Sequence, residues 1–354
     1  MSQISEQVAI ARDVMNEYRT VREGGAGLID LSASRARVSV GGSEAVQFLN
    51  GLITNDVKTL GVGSWMPAAF PNVQGRLLAN VRVLRRADDF LFDTEAATRE
   101  VVLKTLGRFT LAGDFRVTDL TDETATLSVQ GARAAEFVKS VLGEEAARVE
   151  RGRVVEIAWQ GQPLSLIRAT HTGEDGFDLF VNASQAKALH EALSDAGAQA
   201  VGSEALEILR IEAGLPRFGV DVDETNVVLE AGLDEAVSFT KGCYIGQEII
   251  ARIHWRGHVA KRLAGLSLDE TASIKKDDRV RSTDGKEIGR VTSAAFSPRL
   301  KRTVALGIIK YDFLAAGTEA FVVSEAAEHA ARVAELPLVR GSWYETDASA
   351  EIEG

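Results

Sequence analysis

AGLIDLSASRARVSVGGSEAVQFL, residues 26–49, sets the type of fold. AGLIDLS and RARVSVGG are short apolar or alternating pieces closed by serine or glycine, and they read as strands. Ser43 then offers a helix cap ahead of an apolar stripe through Val46 and Leu49. The order strand, strand, helix returns twice. FRVTDLT and TATLSVQG precede ARAAEFVKSVLG, and WQGQPLSLIRAT and GFDLFVN precede SQAKALHEALSDAG. This repetition predicts mixed α+β domains with helices on one face of antiparallel sheets. Upstream, Ile4, Val8, Val14, Tyr18 and Val21 predict an amphipathic helix over 4–24. Beyond Val259 the helical period stops. KRLAGLSLD, DRVRSTDGKEIGRVTSAAF, TVALGIIK and EAFVVS are short strands with an Asp284-Gly285 turn, a small β-barrel pattern. The final ETDASAEIEG has the composition of a disordered acidic tail.

A chain of 354 residues, 45% hydrophobic and 26% charged, suits two or three globular domains. Charges run through the N-terminal stretch where a signal peptide needs an apolar segment, and no long uncharged apolar run occurs, so a cytoplasmic protein without a membrane span is expected. The single cysteine excludes an intramolecular disulfide, and one thiol cannot build a structural zinc site or an iron–sulfur cluster within one chain. No metal site is expected. A net charge of −11 argues against general binding to nucleic acid or anionic membrane. ARIHWRGHVAKR, 251–262, is a local basic exception; read as a solvated face, it leaves direct nucleic-acid binding unexpected.

The cysteine lies in KGCYIGQE, residues 241–248. Ile245, Ile249, Ile250 and Ile253 predict a helix from Tyr244 to Trp255, placing Cys243 at or just before its N-terminus. That position and neighbouring Lys241 both favour thiolate. Gly242 and Gly246 permit close approach of a ligand, and Tyr244 offers a stacking surface. Against this stands the inert, packed cysteine, and the residues alone leave both readings open. His254 and His258 would lie about 16 Å along the helix from Cys243, too far for a catalytic dyad. His171, His190 and His329 read as structural.

KGCYIGQE resembles the signature of the YgfZ family of folate-binding proteins, which are similar to the glycine-cleavage T-protein aminomethyltransferases. GLIDLSASRARVSVGGSEAVQFLNGLITNDV, PNVQGRLLANVRVL, HTGEDGFDLFV and LEILRIEAGLPRFGVDV resemble other segments of that superfamily, over about residues 26–320. The resemblance implies two interleaved ferredoxin-like α+β domains within residues 1–258, an antiparallel β-barrel over 259–340, and a three-domain ring around a central folate channel; composition leaves 341–354 as the acidic tail. It implies tetrahydrofolate as the cofactor, with Asp178 at the pterin-binding position and Asn80, Phe218, Tyr244 and Gly242 around the site. It also implies Cys243 and Lys241 as the chemical centre of a protein that supports iron–sulfur enzymes, including tRNA-modifying ones, with iron–sulfur client or assembly proteins as partners. T-proteins carry an aspartate pair in a G-G-x-x-D-D pattern. Here GRLLAN places Ala79 and Asn80 at that point, which counts against ordinary aminomethyl transfer because neither can supply a carboxylate. A folate-dependent aminomethyltransferase or demethylase stands as the alternative.

Overall fold

The computed structural model describes residues 3–269, 271–325 and 327–348. Helix α1 (Gln3–Arg22) opens the chain where the apolar spacing predicts it, burying Tyr18 and Val21. Strand β1 (Gly27–Asp30) follows and at once leaves its neighbours in sequence. The next unit comprises β2 (Arg35–Gly41), α2 (Ala45–Leu52), β3 (Ser64–Pro71), β4 (Leu77–Arg85), β5 (Phe90–Glu95), α3 (Arg99–Gly107) and β6 (Arg116–Asp119). Its strands form an antiparallel sheet in the order β3-β4-β5-β2-β6. Val38, Val40, Val81, Val83 and Phe92 alternate onto the face that α2 and α3 cover.

The second unit comprises β7 (Thr124–Gln130), α4 (Ala134–Leu142), α5 (Glu144–Ala147), β8 (Val154–Trp159), β9 (Gln162–Arg168), β10 (Gly176–Asn182), α6 (Ala183–Asp195), β11 (Gln199–Ala200) and α7 (Ser203–Glu212). Its sheet, in the order β11-β1-β7-β10-β9-β8, takes in β1, which runs antiparallel to β7 and parallel to β11. The two α+β units are therefore interleaved, as expected. Leu127, Val129, Phe177 and Leu179 pack under α4 and α6. The opposite faces of the two sheets meet through Leu84 and Leu91 on one side and Val154, Ile167 and Phe180 on the other. A loop with short turns then leads to α8 (Gln247–Arg256).

Strands β12 (Lys261–Leu268), β13 (Arg279–Ser282), β14 (Glu287–Ser297), β15 (Arg302–Lys310), β16 (Glu319–Val323) and β17 (Glu328–Ala334) close into an antiparallel barrel in the order β12-β15-β14-β13-β16-β17. Leu266, Val280, Ile288, Ile309 and Val322 fill it. The mixed α+β class with a C-terminal barrel thus agrees with the sequence reading. Among the described residues no helix is long and apolar enough to cross a membrane.

Three local expectations change. Ser43 does not cap α2: its N–H and hydroxyl both donate to Asp114, at 2.8 and 3.0 Å, and the helix starts after Glu44. Helix α8 begins at Gln247 rather than Tyr244, because Gly246 adopts a left-handed φ of 77° that interrupts the chain just ahead of it. The stretch expected as an acidic tail begins with α9 (Ser342–Ala348), tied down where Trp343 N–H donates to the Gly173 carbonyl and Ser342 to Glu174. Residues 349–354 of that expectation lie outside the described residues.

Candidate functional site

Strand alternation puts Asn80, Arg82 and Leu84 of β4, and Leu91, Asp93 and Glu95 of β5, on the faces turned toward the other sheet. From β10, Asp178 and Phe180 face back. The seam between the sheets is apolar at one end and ionic at the other. Arg35 grips Asp93 with two bonds of 2.8 and 2.6 Å. Arg82 reaches the same Asp93 at 2.7 Å and lies 2.5 Å from Asp178. His171 Nε2 sits 2.8 Å from the same Asp178 oxygen. Five side chains thus form one connected polar chain: Arg35, Asp93, Arg82, Asp178, His171. Burial alone would raise the Asp178 carboxyl, but His171 and Arg82 outweigh it and hold the carboxyl well below the usual range. Asp93 is likewise lowered, burial being overcome by Arg35 and Arg82.

This network ends at a cavity of about 410 Å³, within the size range of small-molecule sites. Asp30, Arg35, Glu95, His171, Glu207, Arg210 and Arg217 supply its charged or titratable wall. Glu95 lies opposite Arg35 in the β2–β5 register, and its Oε1 accepts the Phe218 N–H at 2.9 Å. Burial pushes the Glu95 carboxyl up by more than that N–H and the Arg35 and Arg217 charges pull it down. Glu207 is paired with Arg210 and with Arg217, the latter at 3.2 Å.

The candidate residues read from sequence fall into two separate places. Asp178 belongs to the seam; it is fully buried, does not line the cavity and is linked to it through His171. Asn80 faces the seam two residues from Arg82, while Ala79 points into the core behind it. Phe218 enters through its backbone N–H, its ring joining an apolar cluster with Val222 and Leu229. Cys243, Lys241, Tyr244 and Gly242 lie elsewhere, and none lines the cavity.

Lys241 is buried, its Nζ donating to the carbonyls of Ile53 and Asn55 at 2.9 and 2.6 Å, and burial brings its ammonium down to about 8. Its protons serve the backbone. Tyr244 is buried among Ile211, Val237 and Ile250, so its ring offers no free stacking surface. Gly242 is exposed, and an added Cβ would meet nothing within 4 Å, so no close approach explains it. Cys243 is exposed and lies four residues ahead of the first residue of α8, a correction that follows from the late start of that helix. His171, Arg82, Arg35 and Glu95 were not singled out from sequence. Only His171 had a cue, its place directly ahead of T-G-E-D-G-F-D. Glu174 and Asp175 in that segment are structural, held by Arg22 and Arg168 at 2.7 Å each.

Residues 5–241 match the GCVT N-terminal domain, and residues 261–340 match the glycine cleavage T-protein C-terminal barrel domain. The chain is 34% identical to an aminomethyltransferase of Rubrobacter xylanophilus over 83% of its own length and 78% of that protein's. To an aminomethyltransferase of Symbiobacterium thermophilum it is 31% identical, over 92% and 89%. The crystal structure of glycine cleavage system aminomethyltransferase T from Bartonella henselae superposes with a TM-score of 0.85 at 26% identity, covering 92% of this chain and 90% of that one. These relatives bear the name aminomethyltransferase, and this overturns the expected role in iron–sulfur enzyme support in favour of the alternative. The chain belongs to the glycine-cleavage T-protein (GCVT) family.

Proposed function

We propose that this chain is a folate-dependent one-carbon transferase of the aminomethyltransferase kind, taking tetrahydrofolate into the cavity beside the ionic seam. The observation that carries the reading is the reach of the likeness: an aminomethyltransferase fold is followed across 92% of the chain, both units and barrel included. The cavity fits such a ligand in donor set as well as size. A pterin offers adjacent N–H donors that suit a carboxylate, and its glutamate tail suits a guanidinium; Glu95 and Arg217 stand on the same wall. Tetrahydrofolate supplies the nucleophilic nitrogen that takes up the one-carbon unit. The protein's part is to orient it, exclude water and balance charge.

Asn80 replaces one carboxylate of the implied aspartate pair, and Ala79 the other. An amide at position 80 still donates and accepts hydrogen bonds but does not balance a developing positive charge. Turnover below that of a carboxylate-bearing relative is expected, with Asn80→Asp faster than the unmodified protein. The test combines calorimetry of tetrahydrofolate binding with folate-dependent ammonia release in a reconstituted glycine-cleavage assay. Saturable binding with release of ammonia supports the reading. Absence of both sinks it.

A further inference from the structure

Three carboxylates line the cavity, and two of them are accounted for. Glu207 is neutralised by Arg210 and Arg217. Asp30 is exposed and closes its own turn, accepting the Ser32 N–H at 2.9 Å. Glu95 differs. Among the described residues it has no ion pair, its Oε1 takes only the Phe218 N–H, and no residue donates to Oε2. The cation nearest in register, Arg35, is committed to Asp93. A carboxylate drawn out of water with one donor is poorly satisfied, and a ligand carrying adjacent N–H groups relieves that.

We propose that Glu95 is the carboxylate that receives the N–H donor edge of the folate pterin, in place of Asp178. This rests on the reading of the cavity as the folate site. Asp178 does not line the cavity: it is fully buried, one oxygen shared between Arg82 and His171 and Oδ1 without a hydrogen-bond partner among the described residues. Glu95 is on the cavity wall and fixed in direction by the Phe218 backbone. The ionised carboxylate is the form that accepts N–H donors. Burial raises the Glu95 carboxyl and a donor ligand favours its ionised form, so toward the acid end affinity weakens and binding releases protons. The other charged or titratable groups facing this point are Asp30 on β1, Arg35 on β2, Asp93 on the same strand, His171 before β10, Glu207 and Arg210 on α7, and Arg217 and Asp221 after it.

Titration calorimetry of the full chain with tetrahydrofolate, between about pH 5 and about pH 8 in two buffers of different ionisation heat, reads both affinity and proton release. Glu95→Gln keeps the shape and removes the charge. It is expected to bind about 10- to 100-fold more weakly, the worth of a hydrogen bond to a charged group, and to lose the proton release seen with the unmodified protein. Its melting temperature at neutral pH is expected to be equal or higher, because a desolvated carboxylate has been removed, so weak binding is not unfolding. Should Glu95→Gln fail to fold, Glu95→Asp retracts the charge instead, and weaker binding with proton release retained supports the assignment. Affinity within about twofold of the unmodified protein and an unchanged pH response, in whichever variant folds, overturn Glu95 while leaving the folate reading in place. No binding by the unmodified protein at any pH overturns the folate reading itself, and the assignment with it.

Discussion

Arg82 of β4 and Asp178 of β10 meet at 2.5 Å across the seam between the two sheets, 96 positions apart in sequence. This pair, with Asp93 and His171 at its ends, joins the interleaved units where their apolar contact gives way to charge. Breaking a buried pair on one side leaves the partner charge without compensation. Arg82→Met is therefore expected to lower stability by about 3–5 kcal/mol in chemical denaturation. Arg82→Met combined with Asp178→Asn is expected to lose less than Arg82→Met alone, since fewer buried charges are stranded. A larger loss in the double variant would contradict the coupling.

The same network sets an acid limit. The Asp93 and Asp178 carboxyls are held low in the folded protein, so the stability they contribute is present above the ordinary carboxylate range and is lost as pH falls through their folded values. Melting temperature is expected to drop from about pH 4 downward. Asp178→Asn is expected to melt lower at neutral pH and to show a shallower acid slope. A parallel slope in both proteins would show that other groups govern acid unfolding.

Two glycines of the cysteine segment separate backbone need from coincidence. An added Cβ at Gly246 would stand 2.3 Å from the Asn72 carbonyl oxygen at a φ of 77°, whereas one at Gly242 would meet no atom within 4 Å. Gly246→Ala is expected to cost about 1–3 kcal/mol. Gly242→Ala is expected to stay within about 0.5 kcal/mol. Urea midpoints on the two variants check the contrast.

Cys243 is exposed, so a small alkylating agent is expected to label it in the native state without prior unfolding. Cys243→Ser is expected to change stability by less than about 0.5 kcal/mol and to leave tetrahydrofolate affinity unaltered. A coupled loss of folate binding, read by calorimetry, would draw the cysteine segment back into the site.

The legible parts of the fold are those written in short-range periodicity. Tyr18 and Val21 announce α1, and Asp284-Gly285 marks the bend between β13 and β14. The pairing of Leu28 with Val129 is carried by no local pattern, and the interleaving came from the resemblance. At the site, Asp178 was visible as a candidate, but its engagement by Arg82 was not, because strand alternation becomes informative only once the facing sheet is known. Glu95 is the last residue of β5, and nothing in the local pattern marks a strand-end carboxylate as facing a cavity. The Tyr244–Trp255 stripe is real in part, yet left-handed Gly246 moved the helix start beyond Cys243. A residue type that tolerates positive φ does not announce from sequence alone that it uses it.

The placement of β1 governs when this chain can finish folding. Gly27 must pair with Gln130 on one side and with Gln199 on the other, while β2 to β6 find their neighbouring strands among themselves, between Arg35 and Asp119. A nascent chain synthesised as far as Asp119 thus holds every strand of the five-stranded sheet, with its earliest strand still waiting for one made later. Closing so long a loop carries an entropic cost before any contact rewards it, which slows the step and leaves an unpaired strand edge exposed meanwhile. On the ribosome the first strand made is among the last to be secured, and chaperone protection is most needed in the interval between Asp119 and Gln199.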